Sequence, residues 1–387
     1  MSPSFFTLDE LGLRSDDDPQ PFDLRAEHDD TVHSVFEIDD LATLAELETL
    51  WADLFQQTDR PAFCQTFEWL QLFWTHFGDR QRLRAFCVEQ GDDTVGLMVL
   101  IEQEAHGHIQ LTLPSVGSET LVPLGMNSDG SWRAIGDHLR SELTRKHVLN
   151  LRGLSDSRDH ARTALSAAGL LVRAQAVSAN TVIRLPDDFG TYWSQTSASL
   201  RKLVELGEQR FASLGPTNFV RFRPQVADHT TPQFPEELYQ DCLNVALSDE
   251  TQLARADSIL NAPARHRFLR DLIPCAWQQA AADLCLLLVG SRPVAFRFQT
   301  LIRGHLRTIW TGADSEFQQL PLAALLLHRT LRDSTQRGDN ELDLGPTSAD
   351  VAVDWNGSHV PLVQLVAGAF ATSTAIPKPE ETMPHDL

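Results

Sequence analysis

Two carboxylates in the C-terminal half of the chain, Asp314 and Asp343, each stand at the end of a predicted strand. A carboxylate in such a position can take a proton from a nucleophilic amine or hydroxyl, or it can orient the molecule that carries that group. A strand-end carboxylate can equally be solvated or cap a turn, and the sequence leaves these alternatives open. Asp314 and Asp343 are therefore candidate catalytic residues.

Other reactive side chains are poorly placed for catalysis. Cys285 falls inside a predicted strand, His305 lies beside the glycine of a predicted hairpin turn, and His328 lies on the predicted polar face of a helix. No combination of Ser, His and Asp typical of a catalytic triad is visible. These residues therefore include no well-placed nucleophile for a covalent enzyme intermediate.

The cysteines do not indicate a metal site or a disulfide network. There are five of them, an odd number, and none has the C-x-x-C spacing of zinc and redox centres. Cys87 and Cys285 lie within predicted strands. We therefore expect buried, reduced thiols and no bound metal.

The elements that would position the two carboxylates belong to a pattern that occurs twice. In each half, three predicted strands separated by tight turns are followed by a helix and a returning strand. In the first half these elements are Leu83–Gln90, Thr94–Gln103, His108–Ser115, a helix near Trp132–Lys146, and Val148–Leu154. In the second half they are Leu284–Val289, Pro293–Thr300, His305–Ala313, a helix near Pro321–Arg337, and Glu341–Pro346.

This order of elements predicts the shape of a ligand site. Hairpins join antiparallel neighbours, whereas a strand, helix and strand in succession join parallel neighbours. Each half should therefore form a mixed sheet with at least one helix packed on it. The third strand and the strand after the helix can diverge at their ends, which leaves a slot beside the N-terminus of the helix. We expect a ligand to bind in that slot.

The remaining segments are mostly helical. The predicted helices are Ile38–Gln57, Phe67–Phe77, Asp159–Gly169, Tyr192–Leu214, Pro235–Leu247 and Ala264–Ala281, and Val172–Leu185 reads as one or two strands. Arg201, Lys202 and Arg210 form a basic cluster on the helix Tyr192–Leu214. This cluster could meet an anionic ligand, or it could pair within the helix with Glu205 and Glu208.

Composition narrows the classes of function. The chain has 387 residues, 42% of them hydrophobic, with 32 Lys and Arg against 53 Asp and Glu, so the net charge is −21. A field of that sign repels phosphate backbones and argues against nucleic-acid binding. The sequence shows neither a signal peptide nor an apolar run long enough to span a bilayer, so we expect a cytoplasmic protein. It gives no indication of the oligomeric state.

The repeat also predicts the domain boundaries. Residues 1–34 should be a disordered acidic tail, 35–186 the first domain, 187–372 the second domain with the slot, and 373–387 a second disordered tail rich in Pro, Glu and Thr. The predicted fold class is α/β (α+β), with two tandem units that each contain a mixed, mostly antiparallel sheet flanked by helices.

Motifs in the second half resemble those of a known family. They are Gly290 with Pro293, Val294 and Ala295; Trp310, Thr311, Gly312, Ala313 and Asp314; Pro321; Gly338 with Leu342, Asp343, Leu344, Gly345 and Pro346; and, less clearly, Ser199, Leu200, Arg201 and Lys202, in a helix that ends at Gly215. With the two tandem units, these motifs resemble the CelD/BcsL-like acetyltransferases, a family of the GNAT superfamily associated with cellulose and exopolysaccharide biosynthesis, within its FemAB-like branch. The likeness covers roughly Phe36–Phe370.

The sequence departs from the family pattern at two places. The family usually has a Tyr and a Lys shortly before a Trp, whereas Val351 and Ala352 stand at those positions before Trp355. It also tends to have Gly after the helix-opening Pro321, where this chain has Leu322.

The resemblance implies a reaction and a set of binding residues. Acetyl-CoA, or another acyl-CoA, would be the co-substrate, with its thioester in the slot. Main-chain amides near Thr311 and Gly312, beside Trp310, would bind its carbonyl oxygen. Its diphosphate would lie at the helix N-terminus, at Gln319, Leu322 and Ala323, with help from Arg201 or Lys202.

Three functions remain open. The first is acetyl transfer to a sugar or an amino group of an exopolysaccharide or cell-envelope precursor, and the second is a FemAB-like transfer of an aminoacyl group to a peptidoglycan precursor. The third is a binding or scaffold protein that has lost catalysis, which the residues at the two departing motif positions would suit.

Overall fold

A single mixed sheet of 12 strands dominates the computed structural model, which describes residues 32–79, 81–105, 107–126, 128–143, 147–154, 158–224, 234–248, 260 and 262–368. The strands are β1 (His33–Ile38), β2 (Arg82–Gln90), β3 (Asp93–Ala105), β4 (His108–Thr112), β5 (Ser115–Val116), β6 (Glu119–Thr120), β7 (His147–Leu154), β8 (Leu171–Arg184), β9 (Thr217–Phe222), β10 (Ala282–Val289), β11 (Arg292–Ile302), β12 (His305–Ala313), β13 (Glu341–Pro346) and β14 (Ser358–Gly368). Strands β5 and β6 form a separate small hairpin.

Helices pack on both faces of this sheet. They are α1 (Leu41–Ala45), α2 (Glu48–Gln57), α3 (Phe67–Phe77), α4 (Asp129–Arg140), α5 (Arg158–Ala167), α6 (Phe189–Gln195), α7 (Ala198–Ala212), α8 (Glu236–Ser248), α9 (Pro263–Gln278), α10 (Leu322–Arg337) and α11 (Ala349–Asp354). We call the face covered by α2, α3, α8 and α9 the α8 face, and the face covered by α4 to α7 and α10 the α10 face.

The strand order confirms the predicted repeat. It is β1-β2-β3-β4-β7-β14-β8-β13-β12-β11-β10-β9. In the first unit β2, β3 and β4 are antiparallel neighbours, and β7, which follows α4, lies parallel to β4. In the second unit β10, β11 and β12 are antiparallel, and β13, which follows α10, lies parallel to β12. The fold is therefore a mixed α/β fold of two tandem units.

The two units share strands at the centre of the sheet. Strand β14, the last described element, lies antiparallel between β7 and β8. Strand β8, the last strand before the predicted boundary at residue 186, pairs with β13 of the second unit. The sheet thus runs without a break across that position. The domain boundaries themselves stay a prediction.

Two of the predicted helices are broken. The segment Ile38–Gln57 contains the end of β1 and two short helices, α1 and α2, because Asp40 caps α1 and the helix stops at Ala45 before α2 begins. The segment Tyr192–Leu214 divides into α6 and α7. Its break lies at Thr196 and Ser197, where Thr196 is extended and the Ser197 hydroxyl caps α7 by accepting the Leu200 amide. A short hydroxyl residue favours such a cap over a continued helix.

Several elements were missed at the sequence level. Strand β1 takes in His33 and Ser34, which the sequence assigns to the acidic tail. Strands β9 and β14 and helix α11 were also not predicted. The predictions for residues 1–31, Lys146 and 373–387 lie outside the described residues.

Candidate active site

The two central strands of the second unit diverge, as the repeat predicts. Strands β12 and β13 pair only from His305–Glu341 to Arg307–Asp343. Beyond that pair β12 continues to Ala313 beside β11, whereas β13 stays paired with β8 as far as Pro346. The gap between residues 308–313 of β12 and 344–346 of β13 is the wedge, and the pair Arg307–Asp343 marks its apex.

A β-bulge lies just beyond this apex. Gln299 pairs with Thr308 and Phe298 pairs with Trp310, which leaves Ile309 as an extra residue in β12. A bulge bends its strand and re-aims the side chains that follow. It therefore turns β12 away from β13 where the wedge opens.

The bulge also decides which β12 side chains face which side. The Trp310 ring lies 4.5 Å from the Phe296 ring on the α8 face. Gly312 backs onto the same Phe296 ring, which leaves no room for a Cβ atom. Thr308 and Thr311 point to the opposite, α10 face, where Thr308 contacts Arg297.

The N-terminus of α10 lies beside the mouth of the wedge. Its N-cap residue is Pro321, which makes no side-chain capping hydrogen bond. Ala323 and Gln319 are exposed there, whereas Leu322 is buried. Unpaired amides in a first helical turn, together with the helix dipole, favour anions. A Cβ added at Gly207 of α7 would lie 2.7 Å from Pro321 Cγ, so α7 packs directly on this end of α10.

The residues predicted to bind the donor take different positions around the wedge. Trp310 is 4% exposed and packs against Phe296 and Tyr239, so it supports β12 from behind. Gly312, also buried, and Thr311, half-buried, lie on the wedge strand itself.

The predicted basic cluster of α7 is divided. The Arg201 guanidinium donates to the carbonyl oxygens of Ser194 and Thr196 and so closes the end of α6. Lys202 is exposed, and within the described residues it makes no ion pair. The expected intrahelical pairing does not use Glu208, because Glu208 binds Arg329 of α10 instead.

The two candidate carboxylates are not brought together. Asp314 is 4% exposed, caps the turn after β12 by accepting the Glu316 amide, and pairs with Arg292 at 2.5 Å. This is the turn-capping alternative that the sequence left open. Asp343 lies at the wedge apex, roughly 20 Å from Asp314 along β12 at about 3.3 Å per residue. Its side chain is 16% exposed.

Asp343 is held on two sides. Its Oδ1 accepts the Gly345 amide at 2.8 Å, and its Oδ2 accepts the Asn180 side-chain amide of β8 at 2.9 Å. Both donors are neutral, so they orient the carboxylate without neutralising it. Asp343 is therefore a fixed acceptor at the apex, on the α8 face of the sheet.

A charged cluster at the apex was missed at the sequence level. Glu119 of β6 lies 2.7 Å from Nε of Arg307, and the same nitrogen lies 4.0 Å from Asp343 Oδ2. The Glu119 side chain is only 6% exposed, and that of Arg307 is 24% exposed. Burial raises the pKa of Glu119, an effect that Arg307 opposes and Asp343 reinforces. Burial has the largest single effect and would lower the pKa of Arg307, but the neighbouring groups, Glu119 first and then Cys64 and Asp343, together outweigh it and the pKa is raised.

Glu119 reaches this cluster on the hairpin formed by β5 and β6. The carbonyl oxygen of Ser118 accepts a hydrogen bond from Arg307 Nη2 at 3.3 Å, and that of Thr120 accepts one from Cys64 Sγ at 3.2 Å. A hairpin turn at Gly117 and Ser118 is the one signal that the sequence offered for it. Nothing in the sequence pointed from that turn to Arg307.

The equivalent gap in the first unit is filled by the same hairpin. Strands β4 and β7 pair only from Ile109–His147 to Thr112–Asn150, while β7 runs on to Leu154. A Cβ added at Gly153 of β7 would lie 3.1 Å from the Thr120 hydroxyl, so the hairpin sits against the extended part of β7. The helix that follows, α4, is capped by the Ser128 side chain. Among the described residues, the second unit thus combines diverging strands with a helix that has no side-chain cap, whereas the helix of the first unit is capped.

Comparisons with known proteins agree with this architecture. Residues 195–351 match the family model of the acetyltransferase (GNAT) domain. No curated protein sequence matches the chain. No helix among the described residues is long and apolar enough to cross a membrane.

Three solved structures share the fold. FemX has a TM-score of 0.56 at 10% identity, covering 82% of this chain and 95% of its own. A conserved protein of unknown function from Bacteroides thetaiotaomicron has a TM-score of 0.53 at 11% identity, covering 86% of this chain and 100% of its own. The C-terminal domain of a putative lysylphosphatidylglycerol synthetase from Agrobacterium fabrum has a TM-score of 0.50 at 11% identity, covering 86% of this chain and 93% of its own.

At these identities the likeness extends to the fold alone. The family match, in contrast, covers most of the second unit, including β12, α10 and the wedge between β12 and β13. The chain consists of two tandem units with the same order of strands and helix, and residues 195–351, which make up most of the second unit, match the family model of the acetyltransferase (GNAT) domain.

Proposed function

We propose that this protein is a GNAT-type acyltransferase that transfers an acyl group, in the simplest case acetyl, from acyl-CoA to a nucleophile of a small molecule or glycan precursor. The observation that carries this proposal is the wedge between β12 and β13, which opens beside an uncapped helix within the matched domain. An extended thioester carrier can lie in such a wedge and hydrogen-bond the free edge of β12 as an added strand would.

The donor diphosphate belongs at the N-terminus of α10. The first-turn amides around Ala323 and the positive end of the helix dipole favour a doubly charged anion. Gln319 is exposed beside them as a further donor, and Lys202 on α7 is the predicted cation that is exposed and makes no ion pair among the described residues. Arg201 holds the end of α6 and supports this surface indirectly.

The acceptor enters from the α8 face at the wedge apex. Asp343 takes the proton of the attacking amine or hydroxyl as the new bond to the thioester carbonyl carbon forms. The C–S bond then breaks, and the CoA sulfur leaves with the electron pair. Arg307, held by Glu119, keeps the carboxylate of Asp343 in place and offers donors to the acceptor. No side chain forms a covalent intermediate in this scheme.

The acceptor we propose is a sugar or amino group of an exopolysaccharide or cell-envelope precursor in the cytoplasm. The motifs shared with CelD/BcsL-like acetyltransferases support it. The departures from that pattern fall on packing positions, since Leu322 and Ala352 are buried and Val351 is half-buried. Different residues at packing positions do not by themselves favour a scaffold protein without catalysis. Transfer from an aminoacyl-tRNA is disfavoured by the net charge of −21.

The experiment that tests this function is a thermal-shift panel with CoA, acetyl-CoA and longer acyl-CoAs, followed by a thiol-release assay with amino sugars and their hydroxyl counterparts. A specific donor stabilises the folded chain by mass action, by about 2.7 kcal/mol at a hundred times its dissociation constant. We expect stabilisation by acyl-CoA and acceptor-dependent release of thiol. A chain that no acyl-CoA stabilises, and that releases no thiol, is not an acyltransferase.

A further inference from the structure

One buried cation lies behind the wedge without a counter-charge. Arg297 of β11 is 8% exposed and points to the α10 face. Its Nη1 donates to the Thr308 hydroxyl at 3.0 Å, and its Nε has no hydrogen-bond partner. Among the described residues no carboxylate pairs with it, because Asp283 on the neighbouring strand is taken by Arg221 and Arg223.

This arrangement is unfavourable for stability. A buried charge without a partner costs several kcal/mol relative to an apolar side chain of similar size. The nearest ionisable neighbour is Cys285, and burial raises the pKa of its thiol to about 12, so it stays neutral. Burial lowers the pKa of Arg297 to about 10, which still leaves it charged at neutral pH. Stability alone therefore gives no reason for an arginine at this position.

Thr308 connects this charge to the wedge. It is the first residue of β12 beyond the last pair with β13, Arg307–Asp343, and it precedes the bulge at Ile309. Its oxygen accepts the bond from Arg297, and its own hydroxyl hydrogen has no acceptor among the described residues. A hydroxyl whose oxygen accepts from a guanidinium is a stronger donor, because successive hydrogen bonds polarise one another.

We propose that the Thr308 hydroxyl, polarised by Arg297, donates a hydrogen bond to the carbonyl oxygen of the thioester as negative charge develops on it. This inference rests on the proposed acyl transfer and assigns the group that stabilises its transition state. As the nucleophile attacks, the carbonyl π electrons move to the oxygen, and they return when the C–S bond breaks. Thr308 keeps its proton throughout, and the proton of the nucleophile goes to Asp343 on the opposite face.

The two residues have different roles. Thr308 touches the reacting oxygen and is a catalytic residue, whereas Arg297 acts through Thr308 and is a positioning residue. A preorganised donor in a dry site is worth more than the same donor in water, because it needs no reorganisation during the reaction. This would explain why the fold carries an unpaired buried charge at this place.

The test compares Thr308→Val, Thr308→Ser and Arg297→Met with the wild-type chain in the thiol-release assay. Thr308→Val keeps the shape and removes the hydroxyl, so kcat should fall about 100-fold to 1000-fold, the range for loss of one oxyanion donor. The KM for acetyl-CoA should change by less than about threefold, since the bond strengthens mainly in the transition state. Thr308→Ser should recover most of the rate.

Arg297→Met gives a readout that a purely structural role would not produce. It should lower kcat while it raises the melting temperature, because it removes an unpaired buried charge. Its effect on kcat should largely vanish in the Thr308→Val background. Thr300→Val is the matched control, since Thr300 is also buried in β11 but faces away from Thr308, and it should leave kcat unchanged.

The outcomes separate this inference from the proposed function. Acetyl-CoA turnover with unchanged kcat in Thr308→Val overturns the inference and leaves the acyltransferase standing. An Arg297→Met variant that loses stability and rate together shows that the arginine is structural and also overturns it. A wild-type chain that neither binds nor consumes acyl-CoA refutes the proposed function, and the inference falls with it.

Discussion

The salt bridge between Glu119 and Arg307 allows a strong test of how the apex is built. Arg307→Met would leave Glu119, whose side chain is 6% exposed, without its cation. Removing one partner of a buried ion pair costs about 3–5 kcal/mol, because the remaining charge is neither solvated nor paired. Glu119→Gln is the matched variant. It leaves Arg307 with Asp343 at 4.0 Å and with partial access to solvent, so we expect a loss of only about 1 kcal/mol.

The loss of folding stability in Arg307→Met should be larger at high pH than at low pH. Burial raises the pKa of Glu119 in the folded chain, so the folded state binds a proton that the unfolded state releases. The stability of the variant should then fall as the pH rises from the unfolded value towards the folded one. An unfolded glutamate has a pKa of about 4.3, so protonating Glu119 at pH 5 costs only about 1 kcal/mol. The stability lost by burying Glu119 without its cation therefore cannot exceed about 1 kcal/mol at that pH. At pH 8 it can reach the full 3–5 kcal/mol.

The assay is urea denaturation of the wild type, both single variants and the double variant at pH 5 and pH 8, followed by tryptophan fluorescence. Arg307→Met should be much less stable at pH 8 than at pH 5, and adding Glu119→Gln should restore part of the loss. If Arg307→Met loses the same free energy at both pH values, or no more than Glu119→Gln, the apex is not built around this ion pair.

Three further predictions concern the donor site. Gly207→Val should push α7 away from Pro321, cost about 1–3 kcal/mol of stability and weaken acetyl-CoA binding. Gly136→Val is the control, because Gly136 packs equally tightly against α5, and it should cost stability alone. Equal affinities of the two variants for acetyl-CoA, measured by titration calorimetry, would contradict this prediction. Lys202→Ala should weaken the binding of CoA severalfold, and most strongly at low salt. Arg201→Met should mainly lower the melting temperature. If Arg201→Met weakens CoA binding and Lys202→Ala lowers the melting temperature instead, the roles of the two residues are exchanged. Calorimetry should give one donor per chain, and two equivalent sites would show that the hairpin does not fill the gap in the first unit.

Much of the fold follows from local patterns in the sequence. The strands from β2 to β4 and from β10 to β13 read as apolar or alternating runs separated by short turns, so their order and the wedge could be predicted. The position of α10 follows for the same reason, since a parallel return strand requires a crossover. The breaks at Glu46 and Thr196 were not predicted, because apolar residues keep helical spacing on both sides of them.

The candidate site could be predicted only in part, since Glu119 and Asn180 come to it from the first unit. Asp343 and three residues of β12, Trp310, Thr311 and Gly312, lie in motifs of the second half and were predicted as site residues. Ser118, the neighbour of Glu119, lies 189 residues before Arg307 in the chain, and no local pattern links the two segments. Arg297 reads from the sequence as one alternating residue of a strand. The sequence does not show that Arg297 lacks a counter-charge, because that depends on Asp283 pairing with Arg221 in the folded chain.

The central claim is that acyl-CoA binds in the wedge with its diphosphate on the first turn of α10. Ala323 is exposed in that turn, so Ala323→Glu leaves the packing intact and adds a negative charge where the phosphates would lie. A glutamate there also favours the helix dipole, by about 0.3–1 kcal/mol. Titration calorimetry of CoA should therefore show binding to the wild type, and little or none to a variant that melts at the same temperature or higher. Equal affinity of the two proteins for CoA would contradict the account.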